Sequence, residues 1–260
     1  MSIRRQKFRT DLEDLLATAA ILRVLAQGFG YPQVGYKTRM LREFAKLRTA
    51  CARPGFSRIA QAVNSACRAL RSADETMLRT EYFRLFLGNG PVSLHEAAYG
   101  DGRRIAGRPH ELADINGFYS AFGLHLSDAD PNLPDHLSSE LEFYSLLLVK
   151  QAYADRGGRS VNREITRRAA KQFLEYHLGR WMEAFVQTLR ENETPSPYRE
   201  LARVLETLIC AEIKRSRVRP FLASGRLPYD VMQDDELVCP MAAQAATGNP
   251  IPLAGERPIP

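Results

Sequence analysis

The balance between helix-forming and β-branched residues constrains the fold of this chain more than any other feature of its sequence. The 260 residues include 62 Ala and Leu but only 21 Val and Ile. Ala and Leu favour helices, whereas β-branched side chains favour strands. With 45% hydrophobic and 25% charged residues, the composition is that of a globular protein and not of a disordered or membrane-spanning chain. We therefore predict an all-α fold, a helical bundle with a hydrophobic core.

Apolar residues at three- and four-residue spacing predict a series of amphipathic helices. Thr10 with Glu13 and Ser72 with Glu75 match the capping-box pattern, which predicts the starts of two of them. A single helix is expected over 38–50. Further helices are predicted from 57 to about 70, at about 111–122, and from 136 or 137 to the glycines at 157–158. The last three predicted segments are 162–178 and 180–191, as two helices or one bent element, and about 197–216.

The proline content divides the chain into two parts. The final 44 residues contain seven of the fifteen prolines and show no sustained helical period. Proline disrupts a helix interior, since it lacks an N–H and clashes with the preceding turn. We predict one helical domain at 1–219 and an extended or disordered tail at 220–260.

The net charge of +6 is unevenly distributed. Counting Lys and Arg against Asp and Glu gives +9 for residues 1–90, −6 for 91–142 and +3 for 143–260. The acidic part coincides with two irregular stretches, 88–107, which has five glycines, and 123–135. Long irregular segments in compact domains are often functional. Such a reversal suits a surface for a cationic partner, although acidic loops are also common because they are well solvated.

The sequence lacks the common catalytic and metal-binding motifs. It contains no P-loop, no G-x-S-x-G elbow and no H-E-x-x-H pair, and its four cysteines form no C-x-x-C pair. This absence argues against the common enzyme classes, and no cofactor or metal is predicted. Asp11, Glu13 and Asp14 follow the first basic residues, and the apolar stretch at 15–22 ends at Arg23, so neither a signal peptide nor a membrane span is predicted. The expected location is the cytoplasm.

Two histidines lie in patterns that admit a functional interpretation. Asp135 and His136 have the residue types of an acid/base pair, but an Asp at a helix start also satisfies free N–H groups, and both interpretations stay open. His177 lies between Phe173 and Trp181 at four-residue spacing, on one helix face. A hydrogen-bonded core histidine is the expected interpretation there.

Four motifs, in order, resemble the TorD/DmsD/NarJ family of redox-enzyme maturation chaperones. The first is EYFRLFLG at 81–88, and the second is EAAY at 96–99. The third, at 134–143, contains Pro-Asp-His-Leu followed by Glu-Leu-Glu-Phe, and the fourth is F-x-x-x-H-x-x-x-W at 173–181. The resemblance covers about residues 11–216. Ala97 departs from it, because the family often has serine there, and the tail is longer than in many members.

This resemblance implies an all-helical, non-catalytic cytoplasmic chaperone. Members of the family bind the twin-arginine signal peptide of a molybdopterin oxidoreductase, or its N-terminus, and hold the catalytic subunit until the molybdenum cofactor is inserted. The resemblance further suggests a delta-type factor of a dimethyl sulfoxide reductase-like enzyme. The expected partner is therefore that catalytic subunit, and neither nucleic acid nor stable membrane insertion is expected. Whether the chain forms a homodimer stays open.

A twin-arginine peptide presents two guanidinium groups and then an apolar segment, so its receptor needs carboxylates beside an apolar groove. We predict that the peptide cations meet Glu96, Asp135 and Glu140, with His136 orienting the site. The predicted apolar part consists of Tyr82, Leu85, Phe86 and Tyr99.

Two alternatives from other classes accompany this interpretation. The charge of +9 in residues 1–90 is compatible with a basic helical nucleic-acid binder, although those arginines are spread through amphipathic helices. The pair Asp135 and His136 is compatible with a helical hydrolase, although no nucleophile is evident beside it.

Overall fold

The computed structural model describes residues 2–100, 107–125, 133–192, 196–223 and 225–226. Helices make up most of this part of the chain and no strand is formed within it. The helices are α1 (Ser2–Gly28), α2 (Tyr36–Lys46), α3 (Arg48–Cys51), α4 (Ser57–Ser72), α5 (Glu75–Phe86), α6 (Gly107–Ala121), α7 (Leu137–Arg156), α8 (Ser160–Phe173), α9 (Gly179–Glu191) and α10 (Pro197–Ser216). A 3₁₀ turn covers Glu96–Ala98, and a π-helix covers Leu174–Leu178. The all-α prediction is confirmed.

The packing of α1 against α7 forms the largest helix contact of the structure. The apolar stripe of α1 buries Ile21, Leu22 and Leu25 completely. Two serines of α7 donate hydrogen bonds to the α1 backbone. Ser138 Oγ donates to the Ala26 carbonyl at 2.8 Å, and Ser145 Oγ donates to the Ala19 carbonyl at 2.9 Å. Small hydroxyl side chains allow two helices to approach closely while their polar atoms stay satisfied. The other face of α7 packs on α8, and α10 packs on α4 and α9.

Both capping-box predictions are wrong. Helix α1 already begins at Ser2, so Thr10 lies inside it. Helix α5 is capped by Asp74, whose carboxylate accepts from Met77 N at 2.6 Å. Ser72 Oγ instead donates to the Ala69 carbonyl, in the last turn of α4. The pattern therefore identified the right neighbourhood of α5 but the wrong capping residue.

The single helix expected over 38–50 is two helices, since α2 and α3 are separated at Leu47. By contrast, the run from α8 through the π-helix into α9 is continuous, as the bent-element alternative expected. Gly179 makes the wide turn feasible. Its N–H donates to the Leu174 carbonyl five residues earlier, and a Cβ at this position would clash with that same oxygen.

A first compact unit covers Met1–Leu227. Residues 228–260, like the loop residues 101–106 and 126–132, lie outside the described residues. The predicted division into a domain at 1–219 and a tail at 220–260 stays a prediction. In the part of the chain that the structure describes, no helix is both long and apolar enough to cross a membrane.

Candidate functional site

The two irregular stretches meet beside the start of α7. Glu96 N donates to the Asp135 carbonyl at 2.9 Å, and Leu137 N donates to the Leu94 carbonyl at 2.7 Å. These bonds flank an isolated antiparallel bridge between His95 and His136. The structure thus brings Glu96 together with the neighbouring residues Asp135 and His136, which follow it by about forty positions in the sequence.

Asp135 holds this junction through its side chain. The carboxylate is fully buried, with Oδ1 at 3.0 Å from His95 Nδ1, and Oδ2 accepts from Ala97 N at 3.2 Å. His136 is the residue that caps α7, since its Nδ1 accepts from Ser138 N at 3.1 Å. The N–H groups that Asp135 satisfies therefore belong to the neighbouring loop and not to the helix start.

A buried ion-pair network joins the loop at 96 to the π-helix. Arg180 Nη1 donates to Glu96 Oε1 at 3.0 Å and lies 3.3 Å from Glu111 Oε1. His177 Nδ1 lies 3.1 Å from Glu96 Oε2. The core interpretation of His177 agrees with its 3% exposure and this partner. Its Nε2 lies 3.2 Å from a carboxylate oxygen of the exposed Asp114, in an ion-pair contact without hydrogen-bond geometry.

Glu140 adds a further buried carboxyl group on α7. Its Oε2 accepts from the indole Nε1 of Trp181 at 3.2 Å. Burial raises the pKa of Glu140 well above its usual range, and the nearby charge of Glu96 raises it further. Folding therefore favours the protonated, uncharged form of Glu140. We call Glu96, Asp135, Glu140, His177 and Arg180 the charged centre.

Two of the predicted apolar residues, Tyr82 and Phe86, belong to a separate group of rings. Tyr82 and Phe86 pack edge-to-face on each other and on Tyr198, with centroid distances of 5.1 to 5.7 Å. Phe29 completes this aromatic cluster at 6.5 Å from Phe86. Buried Phe185 links the two regions, since its ring lies 5.6 Å from Phe29 and 6.5 Å from Tyr99. Tyr99 in turn stacks on Trp181.

The structure brings the predicted site residues together but places them inside the protein. Seven of the eight are buried, and Phe86 is half-buried. The fully buried side chains of Glu96, Asp135 and Glu140 do not present a surface for peptide cations in this conformation. Sequence reasoning missed the internal cation Arg180, and the only signal for it was its position just before Trp181 in the fourth motif.

The segment after α10 crosses the charged centre and holds the loop at 88–100. Ala223 N donates to the Arg180 carbonyl at 2.9 Å, and Gly100 N donates to the Gly225 carbonyl at 2.9 Å. Arg226 forms an antiparallel bridge with Tyr99 and donates from Nη1 to the Gly90 carbonyl at 2.8 Å. The first residues of the predicted tail are thus hydrogen-bonded to the helical domain. We call residues 218–226 the strap.

An open groove of about 470 Å³ lies next to the charged centre. The Tyr119 hydroxyl lines this groove and donates to the Pro134 carbonyl at 2.8 Å, which ties it to the motif at 134–143. The groove is formed by α7, by α6 and the residues that follow it, and by Arg23 from α1. Its complete lining is Arg23, Tyr119, Leu124, His125, Ser139, Glu142, Phe143, Ser145, Leu146 and Val149. The described residues contain no group of three or more His, Cys, Asp or Glu side chains arranged to hold a metal ion.

The comparisons with known proteins agree with these motifs. The family model described as nitrate reductase delta subunit matches residues 51–187, just over half of the chain. A selenate reductase assembly chaperone protein from Thauera selenatis is 38% identical over 144 residues, which cover 54% of this chain and 70% of the relative. A chlorate reductase assembly chaperone protein from Ideonella dechloratans is 36% identical over 141 residues, with the same two coverages. A perchlorate reductase assembly chaperone protein from Dechloromonas aromatica (strain RCB) is 30% identical over 183 residues, covering 66% of this chain and 77% of the relative.

The chain belongs to the nitrate reductase delta subunit family. The matched segment includes the first three motifs and the His177 motif, and the resemblance to redox-enzyme maturation chaperones is confirmed.

Proposed function

We propose that this protein is an assembly chaperone for the catalytic subunit of a molybdopterin oxidoreductase. The observation that carries the proposal is the match to three relatives named as assembly chaperones of selenate, chlorate and perchlorate reductases, at 30 to 38% identity. In this role the chain binds the twin-arginine signal peptide or N-terminal segment of the subunit in the cytoplasm. It holds the subunit until the molybdenum cofactor is inserted, and it does not itself catalyse a reaction.

The groove between α6 and α7 supports a place for the apolar part of the client peptide. Phe143, Leu146 and Val149 give it an apolar wall, and Val149 is 39% exposed. The exposed carboxylates Asp114 and Glu142 lie on the same two helices and belong to the acidic part of the sequence. In our proposal they meet the peptide cations, because carboxylates at a partly desolvated rim bind guanidinium groups through charge-assisted hydrogen bonds.

The charged centre then acts on client binding indirectly. Asp135, Glu96 and Glu140 fix the junction of the two irregular stretches, and Tyr119 connects that junction to the groove. Leu85 and Tyr99 hold the same loop, since the Leu85 carbonyl accepts from Val92 N at 3.0 Å and the Tyr99 hydroxyl donates to the Ser93 carbonyl at 2.8 Å, while Tyr82 and Phe86 pack in the aromatic cluster. We propose that these residues, with His136, position the groove instead of touching the peptide.

Co-purification tests the chaperone role. A tagged full-length chain isolated from its native host should carry the catalytic subunit of a molybdopterin oxidoreductase, identified by mass spectrometry of the eluate. The absence of any such subunit, under conditions in which the host makes one, would contradict the proposal.

Calorimetry with a synthetic twin-arginine peptide and its double-lysine counterpart tests the site. The matched pair Val149→Asp and Val161→Asp places the same charge on two exposed valines, of which only the first lines the groove. We expect Val149→Asp to weaken twin-arginine peptide binding by about tenfold or more, while Val161→Asp leaves it unchanged. Equal binding of the two peptides, or equal effects of the two substitutions, would contradict the proposal that the peptide binds in this groove.

The two alternatives have less support. The relatives' names favour a chaperone over a nucleic-acid binder. For a hydrolase, the Asp135 carboxylate and the His136 Nδ1 are engaged in holding Ala97 N and Ser138 N. Both groups therefore form structural hydrogen bonds that a catalytic acid/base pair does not require.

A further inference from the structure

A basic cavity of about 360 Å³ lies among α7, α8 and the end of α10. It shares no lining residue with the charged centre or with the groove beside it. Its volume is at the lower end of the range for small-molecule pockets. Four cations and no carboxylate line it, and the complete lining is Gln151, Arg167, Ala170, Lys171, Arg215, Ser216 and Arg217.

The cations of this cavity are only half neutralised. Arg167 is paired with Glu164 at 2.7 Å, and Arg215 donates to Glu212 at 2.8 Å. Within the described residues, the side chains of Lys171 and Arg217 form no ion pair. The cavity therefore carries an unbalanced charge of two, from four cations against two paired glutamates.

The dipole of a helix explains only part of this arrangement. Arg215 and Arg217 lie at the C-terminal end of α10, where cations are stabilised by the partial negative charge of the helix terminus. Lys171 has no such explanation, because α8 continues into the π-helix and α9 without a free C-terminal end. Its half-buried side chain is nevertheless directed to the same cavity.

Gln151 adds a buried polar group to the lining. The residue is only 9% exposed, and it lines the cavity, where its amide N–H can donate to a ligand oxygen. Ser216, which is 7% exposed, lines the cavity beside it.

We propose that this cavity binds a small dianionic oxyanion of the phosphate class, either free or as the phosphoryl group of a small metabolite. Lys171 and Arg217 supply the two unbalanced charges, and two negative charges on one ligand neutralise both. The guanidinium group of Arg217 offers paired N–H donors that match the spacing of phosphate oxygens, whereas Nε and Nη2 of Arg215 already donate to Glu212. The amide of Gln151 donates a further hydrogen bond from the buried side.

Calorimetry on the full-length chain tests this proposal with inorganic phosphate and with glucose 6-phosphate, at constant ionic strength and a pH at which phosphate is a dianion. The variants are Lys171→Ala and Arg217→Gly, and Lys214→Ala is the matched control, since it removes an equal charge from the same end of α10 outside the cavity. We expect the two cavity variants to weaken binding by about tenfold or more and the control to change it less than about twofold.

Arg217→Gly guards against a folding artefact. Arg217 has a φ of 55°, a left-handed conformation that glycine adopts without strain, so this variant removes the cation while relieving the backbone. Lys171→Arg should retain binding. Tighter binding of glucose 6-phosphate than of phosphate would identify a phosphoryl metabolite, and the reverse would identify the free ion.

Three results would overturn the proposal. They are the absence of saturable binding by the unmodified chain, equal weakening by Lys171→Ala and Lys214→Ala, and competition by chloride or acetate as strong as competition by sulfate. The last two results would mean that anions are attracted by the overall positive charge of the protein and do not bind specifically in this cavity.

Discussion

The charged centre and the aromatic cluster contain the three carboxylates (Glu96, Asp135, Glu140) and two of the rings (Tyr82, Phe86) that were expected to form one open site. All of these side chains except the half-buried Phe86 are buried. The two regions differ in what holds them. The groups of the charged centre depend on a few specific polar partners, as Glu96 does on Arg180 and His177. The aromatic cluster shares its contacts among several rings, and its polar atoms are two tyrosine hydroxyls that donate to backbone carbonyls. Two regions that are buried to a similar degree can therefore differ in how much stability they lose when a single side chain is substituted.

The energetic reason is the cost of burying charge. A buried ion pair loses much of its attraction to the desolvation of both ions, so its net contribution to stability is small. Removing one ion is different, because the other is left buried without compensation. The charged centre therefore gives the two irregular stretches a defined geometry more than it stabilises the fold.

The largest expected effect is that of Arg180→Ala. This substitution leaves the fully buried Glu96 without its guanidinium partner, and we expect a loss of about 3–5 kcal/mol in the free energy of unfolding. Arg190→Ala is the control, since Arg190 forms an exposed pair with Glu206 and its loss should cost less than about 1 kcal/mol. Urea titration followed by circular dichroism measures both. Equal losses would mean that the charged centre behaves like a surface pair.

The sequence predicted which residues cluster but not which of them are exposed. Helical spacing predicted most of the helices, because apolar periodicity reports directly on a buried helix face, but it missed the start of α1 at Ser2 and the break between α2 and α3 at Leu47. The clustering of Glu96 with Asp135 followed from motifs in the right order. Their burial did not follow, because it depends on Arg180, whose side chain reaches Glu96 only through the turn made by the π-helix. No local pattern reports on such a long-range partner.

The second prediction concerns the wide turn itself. In Gly179→Ala the new Cβ meets the Leu174 carbonyl oxygen and also lies 3.0 Å from Pro220 of the strap. We expect the π-helix to shift and the free energy of unfolding to fall by about 1–3 kcal/mol. Gly117→Ala, in the open middle of α6, should be neutral or slightly stabilising. Thermal unfolding of the two variants compares them, and a neutral Gly179→Ala would show that the charged centre does not depend on this glycine.

The third prediction uses the protonation of Glu140. Its raised pKa means that the folded state keeps a proton that the unfolded state releases above its ordinary pKa. Stability should therefore fall as the pH rises through the window between the unfolded and folded pKa values, by up to about 1.4 kcal/mol per pH unit. Glu140→Gln mimics the protonated acid and should reduce this slope.

Unfolding titrations across the pH range distinguish the two proteins, which should be similar in acid and diverge as the pH rises. Glu142→Gln, on the same helix but exposed, serves as the control and should keep the slope of the unmodified chain. Parallel curves for Glu140→Gln and the unmodified chain would mean that Glu140 is ionised in the folded protein.

The smallest expected effect belongs to the aromatic cluster. Tyr82→Phe removes one buried hydrogen bond, in which the hydroxyl donates to the Phe29 carbonyl at 3.2 Å, but it keeps the ring and its edge-to-face contacts. We expect a loss of about 0.5–1.5 kcal/mol, because the carbonyl loses its partner while the apolar packing stays in place. Tyr153→Phe, at an exposed tyrosine, should have no measurable effect. If Tyr82→Phe were as costly as Arg180→Ala, the aromatic cluster would depend on single partners as strongly as the charged centre does, and the contrast between the two regions would be wrong.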